Sequence, residues 1–290
     1  MGLSNVFAGT TMESGSQDKP RDGSDESRGS HPSLQGAIDP RLFVAGLAKG
    51  LKLLSILGDF QAPMSLTELS RHSGIGRSGT QRLVHTLAAL GYIRKDERTR
   101  RYLLAPRILR FADGYLHSGG LAEKAFPYLL EANKLTDETV NLTEIDGTDV
   151  IYVSRFPSRN IITSDINIGS RLPVFCTAPG LAMLSRMPRD QALRILEAAP
   201  RTAHTRYTVT DIPGIELKLD QAKEQGFALA EQETFKGEVS IAAAVVDRTG
   251  DVAGAVNVAV SLQRWTSESA RRDLAPIVVQ ISTAISRAIG

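Results

Sequence analysis

From Leu42 onward the apolar residues Phe43, Leu47, Leu51, Leu54 and Leu57 recur at steps of three and four, the pattern of an amphipathic helix that ends near Gly58. Ser65-Leu66-Thr67-Glu68 reads as a capping box, in which the Ser65 hydroxyl serves the amide three residues on and Glu68 reaches back. It opens a second helix over about 66–72. Gly74 and Gly76 flank a tight turn, after which Leu83, Leu87 and Leu90 form one buried stripe, with Thr80 and Val84 alongside. That third helix spans about 78–90 and stops at Gly91. Tyr92–Asp96 and Arg101–Leu104 then flank a turn at Glu97–Arg100, a charged hairpin closed off by Pro106. The order is helix, turn, helix, hairpin: a winged helix-turn-helix.

A further helix over about 107–117 leads through Gly119-Gly120 into another over about 121–135. From Thr139 the period changes to two. Strands are expected at about 139–145, 150–156, 161–168, 227–233, 239–246 and 252–260. Helices are expected near 178–185, 189–198, 212–225 and 267–288. Asp146-Gly147 and Arg248–Asp251 are tight turns, so much of the otherwise mixed sheet should be antiparallel. The fold class is α+β. Residues 1–38 carry almost no apolar side chains between Ser14 and Ser33 and read as a disordered tail. The expected division is 1–38 tail, 39–105 winged helix-turn-helix, 106–120 linker helix and 121–290 C-terminal domain.

The 290 residues, 42% hydrophobic, suffice for roughly two domains that each bury a core. The longest apolar runs, Ile241–Val246 and Val252–Val260, fall far short of a membrane span. No secretory signal is read at the N-terminus, so the expected place is the cytoplasm, away from any membrane. The single cysteine, Cys176, excludes an internal disulfide framework and a cysteine-rich metal site. No cofactor is expected.

Charge sharpens this picture. Between Arg41 and Phe111 there are 13 basic and four acidic residues, a balance of +9 in a chain whose total is +2, so the rest sums to −7. Positive charge concentrated on one domain suits a polyanion, here a double-stranded DNA operator. Opposite the buried stripe of the third helix stand Arg77, Ser78, Gln81, Arg82 and His85. Arginine pairs bidentately with guanine, glutamine pairs with adenine, and serine or histidine reaches phosphates or base edges. The helix enters the major groove N-terminus first, while Arg98, Arg100 and Arg101 of the wing hold phosphates or probe the minor groove.

Several strings in one order and spacing carry a family resemblance. They are Gly50-Leu51-Lys52-Leu53-Leu54, Ser65–Leu69, Leu87–Ile93, Thr139–Leu142, Val150–Arg155, Gly169–Pro173, Cys176–Gly180 and Gly237–Ala242. Over about residues 40–288 the chain resembles the isocitrate lyase regulator (IclR) family of bacterial transcription factors. The resemblance implies a winged helix-turn-helix, a linker helix and a GAF-like effector domain, assembled as a homodimer or a tetramer made of two dimers. Asp39-Pro40, Phe43-Val44 and the Leu172–Thr177 string resemble the branch that regulates protocatechuate and p-hydroxybenzoate breakdown. The implied partner is a small organic acid, aromatic or a ring-cleavage product, and the implied targets are catabolic genes.

Carried over by position, the family's effector pocket falls on Leu172, Cys176, Ala178, Pro179, Ala230 or the adjacent Glu231, Ser240, Asn257 and Ala259. Thr177 can cap the following helix, whose free amides would face an acidic ligand. Ala230 and Ala259 replace the acidic residue and serine of members that take small keto acids, which implies a larger, less polar pocket. Arg155 and Arg171 are alternative partners for a ligand carboxylate.

Cys176 with the distant His204 invites a catalytic pairing, but the chain has no nucleophile elbow, phosphate-binding glycine loop or metal-spaced histidines, and a buried small hydrophobe is the expected role. Trp265, Met183 and Met187 read as packing residues, and His72 as a surface residue. Beside a ligand-responsive regulator stand two rivals: a constitutive DNA-binding protein whose C-terminal domain only oligomerises, and a small-molecule enzyme with a basic appendage.

Overall fold

The computed structural model describes residues 39–159 and 166–290, so the tail expected at 1–38 and most of the strand expected at 161–168 lie outside the described residues. Helices α1 (Ala45–Phe60), α2 (Leu66–Ser73) and α3 (Arg77–Ala89) are followed by the hairpin β1 (Ile93–Lys95) and β2 (Tyr102–Leu104), paired antiparallel with Ile93 opposite Leu104. Leu53, Leu57, Met64, Leu69, Val84, Leu87 and Ile93 form the core of this unit.

Two details differ from expectation. On α1 the buried residues are Gly50, Leu53, Ile56 and Leu57, whereas Leu47 and Leu51, and Phe43 just before the helix, face outward and are at least half exposed. Leu54 and Leu57 of the same pattern do pack on the core, so the apolar stripe runs beyond the surface that α2 and α3 cover. Leu90 caps α3 rather than lying in its stripe and is half exposed; Thr80, Val84 and Leu87 are the buried positions.

A 3₁₀ turn (Pro106–Ile108) leads into α4 (Leu109–Leu116) and α5 (Leu121–Thr136). The C-terminal sheet comprises β3 (Thr139–Asp146), β4 (Asp149–Phe156), β5 (Arg171–Pro173), β6 (Ala228–Glu231), β7 (Glu238–Val246) and β8 (Val252–Ser261). Their order is β5-β4-β3-β8-β7-β6, and every recorded pairing is antiparallel, so the sheet is not mixed. Short turns between β3 and β4 and between β7 and β8 enforce that direction.

Helices cover both faces. One face packs on α6 (Ala178–Arg186), α7 (Arg189–Ala198) and α8 (Ile212–Gln225), with Phe175, Leu181 and Leu219 deep in the core. The other packs on α5, α9 (Ser267–Asp273) and α10 (Ala275–Ile289), through Leu129, Ile241, Val258 and Ile281. Successive side chains of a strand point to opposite faces, so Val256 and Val258 belong to the α10 core while Ala255 belongs to the α6 core. Among the described residues no helix is long and apolar enough to cross a membrane, and no group of side chains is placed to hold a metal ion.

Candidate DNA interface and ligand pocket

The N-terminal site is built on the capping box. The Ser65 amide donates to Glu68 Oε2 at 2.6 Å and the Glu68 amide donates to Ser65 Oγ at 3.3 Å, which fixes the start of α2. Gly74 takes φ 68°, a left-handed conformation that glycine adopts without strain, and ends α2. Thr80 Oγ1 and Ser70 Oγ both donate to the Ile75 carbonyl, at 3.0 and 2.7 Å, locking the turn between α2 and α3. This angle presents Arg77, Ser78, Gln81, Arg82 and His85 to solvent on one face of α3. Arg77 also donates to Thr67 Oγ1 at 3.3 Å, a contact that tethers its side chain to α2.

In the wing, Asp96 accepts from the amides of Arg98 and Thr99 at 2.9 and 2.8 Å and shapes the turn. The Thr99 amide, above all, holds the Asp96 carboxyl below its ordinary range. Arg98 is exposed, and Arg100, at φ 59°, pairs loosely with Glu97 at 3.2 Å. Arg101 differs from both. Its guanidinium donates to the Pro63 carbonyl at 2.8 Å and to both Glu68 oxygens at 3.0 and 3.2 Å, so it ties the wing to the capping box. The Ser65 amide and hydroxyl, and then Arg101, hold the Glu68 carboxyl below its ordinary range.

The linker helix touches both halves. Arg107 donates to the Leu90 carbonyl at 2.6 Å, and Phe111 stacks on Tyr92 with ring centroids 5.6 Å apart. One turn on, the Tyr115 hydroxyl donates to Glu144 of β3 at 2.6 Å.

In the C-terminal domain a cavity opens between the sheet and the start of α6. Leu172, Ala178, Pro179 and Ser240 line it as anticipated, and so does Ala230. Glu231 does not: it is exposed and accepts from Ser267 Oγ at 2.7 Å, because strand alternation turns it to the opposite side from Ala230. Cys176, Asn257 and Ala259 are buried behind the lining. Asn257 Nδ2 donates to Ser240 Oγ at 3.0 Å, and Ala259 sits opposite Ser240 in the sheet register.

Thr234 Oγ1 donates to the Cys176 carbonyl at 3.1 Å, while burial pushes the Cys176 thiol up to about 12, which leaves it an unreactive packing group. Arg171 is paired with Asp146 and Asp149 at the sheet edge, and Arg155 donates to Asn141 at 3.0 Å.

Position transfer did not find Tyr152, nor Gln232, Glu233, Thr234, Phe235 and Glu238 of the β6–β7 connection. Strand alternation alone could have placed Tyr152 on the α6 face, but a loop has no period to follow. Glu233, 4% exposed, is ion-paired to Lys218 of α8 and braces that loop.

The cavity is small and half polar, not large and apolar. Its free volume is about 20 Å³, close to the space of one or two waters. The amides at the start of α6 are also mostly committed. Pro179 has none, Gly180's donates to Thr177 Oγ1 at 3.2 Å and Leu181's to the Thr177 carbonyl at 2.9 Å, leaving Ala178's. A Cβ on Gly180 would overlap the Val174 backbone, so only glycine lets this turn lie so close.

Two family models cover most of the chain. The IclR helix-turn-helix domain matches residues 46–97, and the bacterial transcriptional regulator IclR C-terminal domain matches residues 113–287. The Pca regulon regulatory protein of Pseudomonas putida is 31% identical over 241 residues, 83% of this chain and 82% of that protein. The p-hydroxybenzoate hydroxylase transcriptional activator of Acinetobacter baylyi is 30% identical over 232 residues, 78% of this chain and 85% of the other.

Among solved structures, an IclR family transcriptional regulator from Brucella abortus superposes with a TM-score of 0.74 at 24% identity, over 89% of this chain and all of that one. An IclR homolog from Microbacterium hydrocarbonoxydans, complexed with 4-hydroxybenzoate, gives 0.70 at 18% identity, over 84% and 99% of the two chains. At these identities both attest the fold alone. The helix-turn-helix with its basic face, the antiparallel sheet domain and the two family matches converge: the chain belongs to the IclR family of bacterial transcriptional regulators and is a DNA-binding regulator.

Proposed function

We propose that this regulator works in the cytoplasm as a homo-oligomer that reads a palindromic operator through α3 and answers to a small organic acid held in the C-terminal cavity. The observation that carries the DNA half is the exposed row Arg77, Ser78, Gln81, Arg82 and His85 at the leading end of α3, flanked by Arg98 and Arg100 of the wing. Arg101 supports that surface from behind. The proposed division is residues 39–105 for DNA, 106–120 for the linker and 121–290 for ligand and assembly.

The ligand half rests on the cavity bounded by Leu172, Ala178, Pro179 and Ser240, backed by Cys176, Asn257 and Ala259. An aromatic acid or one of its breakdown products is favoured by the likeness to the Pca regulon and p-hydroxybenzoate hydroxylase regulators, with genes of its catabolism as targets. At about 20 Å³ the cavity must widen to admit such a ligand, so a wider form is the one the ligand selects. A second copy is expected at the start of α1, where Phe43 and Val44 just before the helix and Leu47 and Leu51 on it form an exposed apolar patch.

The deciding experiment is binding to DNA from upstream of the protein's own gene and its neighbours, with and without a panel of aromatic and keto acids. A specific complex altered by one acid is the expected result. Specific binding that no acid changes would favour a constitutive regulator instead.

A further inference from the structure

Tyr152 lies on β4 with 4% of its surface exposed, and its side chain forms part of the cavity wall near Thr177 and Ala178. Its main chain is fully engaged: the amide donates to the Ser170 carbonyl at 3.0 Å, and its carbonyl accepts from the Gly169 amide at 2.7 Å. The phenol hydroxyl is not. It makes no hydrogen bond among the described residues, and the charges of Glu238 and Arg155 lie near it. The hydroxyl is not sealed inside the protein but borders the open space of the cavity, where a bound group can meet it. Burial first, and Glu238 second, hold its proton on far above the ordinary phenol range, so it remains a neutral donor.

A second incomplete group stands on the same side of the sheet. Asn257 alternates with Val256 and Val258 of the α10 core and therefore faces α6. It is 1% exposed; its Nδ2 donates to Ser240 Oγ while its Oδ1 has no partner. Turning the amide over satisfies the oxygen through the Ser240 hydroxyl and leaves the nitrogen unpaired. Either way the α6 face of the sheet holds hydrogen-bonding capacity that the protein itself does not use.

Several other donors near the cavity are committed, while the Ala178 amide, the Ser240 hydroxyl and the Gln232 side-chain amide stand in the lining beside Tyr152. Thr177 and Thr234 donate to the carbonyls of Pro173 and Cys176, Arg155 donates to Asn141, and Arg171 is held by two aspartates. Glu233 and Glu238, also in the lining, bring carboxylate acceptors rather than further donors of fixed charge.

We infer that Tyr152 is a specificity-determining residue of this pocket, donating its phenol hydrogen to an acceptor oxygen, carboxylate or carbonyl, of the bound organic acid. The assignment rests on the proposed acid-binding role of the cavity. Because the donor is neutral, it offsets none of the ligand's net charge.

Tyr152→Phe removes one oxygen and keeps the ring. Full-length wild-type and Y152F proteins are titrated calorimetrically with 4-hydroxybenzoate, 3,4-dihydroxybenzoate and pyruvate, and the unliganded melting temperature of each is recorded. The expected result is about a tenfold rise in Kd for the tightest wild-type probe, with the unliganded melting temperature unchanged or slightly higher. Equal Kd values in the two proteins would overturn the role of Tyr152 alone. So would a lowered unliganded melting temperature in Y152F, which would mark the hydroxyl as structural whatever its effect on Kd. Failure of the wild type to bind any of the three acids would instead remove the acid-binding reading, and this inference with it.

Discussion

Arg82 and Arg101 carry the same guanidinium, and their surroundings give them different work. Arg82 stands exposed on the outward face of α3, and among the described residues no acidic side chain pairs with it. Arg101 is closed by two Glu68 oxygens and a carbonyl. Replacing Arg82 with alanine is therefore expected to weaken operator binding by about 1–3 kcal/mol if it pairs with a guanine, and to leave effector affinity and melting temperature unchanged. Fluorescence anisotropy on the operator, beside a ligand titration, checks both halves; undiminished operator affinity would take Arg82 out of the reading face.

Glu68 makes the opposite kind of prediction, one of stability. Its carboxyl is held below its unfolded value by the Ser65 amide and hydroxyl and then by Arg101. The stabilisation is thus present above the unfolded value, about pH 4.3, and is lost as pH falls through the lower folded value. Glu68→Ala should cost about 1 kcal/mol near neutral pH, the usual worth of a capping interaction, and the gap to wild type should shrink in acid. Denaturant melts at about pH 7 and about pH 3 measure it, and a gap that stays constant between them would refute the ionic origin.

At the scale of elements, α4 is the piece that meets both halves. Arg107 and Phe111 hold it to Leu90 and Tyr92, and Tyr115 holds it to Glu144 on β3, two strands away from the cavity wall at β7 and adjacent to β4. That hydroxyl is a direct link along which a ligand-driven shift of the sheet would reach α4. Tyr115→Phe is expected to leave operator affinity without ligand and ligand affinity without DNA each within about twofold, while reducing the coupling between them, ordinarily 1–3 kcal/mol. Operator titrations with and without the active acid give that coupling; a value equal to wild type would show that the signal takes another route.

Elements were also where sequence was most legible. The capping box at Ser65–Glu68, the glycine at Gly74 and the turns at Asp146-Gly147 and Arg248–Asp251 are local chemistry, and each stands where its residues put it. The sense of the α1 face was not legible, because periodicity states that Phe43, Leu47 and Leu51 share a side and not which surface meets it. At the cavity, position transfer reached Ala230 or Glu231 and only the pleat decides between them. Tyr152 and the Gln232–Phe235 loop come together with α6 only through tertiary packing, which no local signal encodes.

For the whole molecule, the outward face of α1 is the feature that a single chain leaves unexplained. Leu42, Val44 and Leu47 are each more than 60% exposed, and Phe43 and Leu51 at least half. Such a patch, formed by the residues just before α1 and by Leu47 and Leu51 on its first turns, suits a self-complementary contact in which two copies bury the same patch against each other. It also lies in the same compact unit as α3, so a pair joined there would present two reading helices to one operator at a fixed spacing. Tethering two half-site contacts raises affinity well beyond either alone, and severing the tether removes that gain even though every DNA contact survives. Leu47→Glu places a charge in the middle of the patch without touching the core of the unit. It is expected to shift the protein to a smaller species in sedimentation equilibrium and to weaken binding to a full palindrome at least tenfold, while a half-site fragment binds as before. An unchanged assembly with an unchanged preference for the palindrome would place the joint elsewhere, on the C-terminal domain, and would leave the apolar patch at the start of α1 to a different partner.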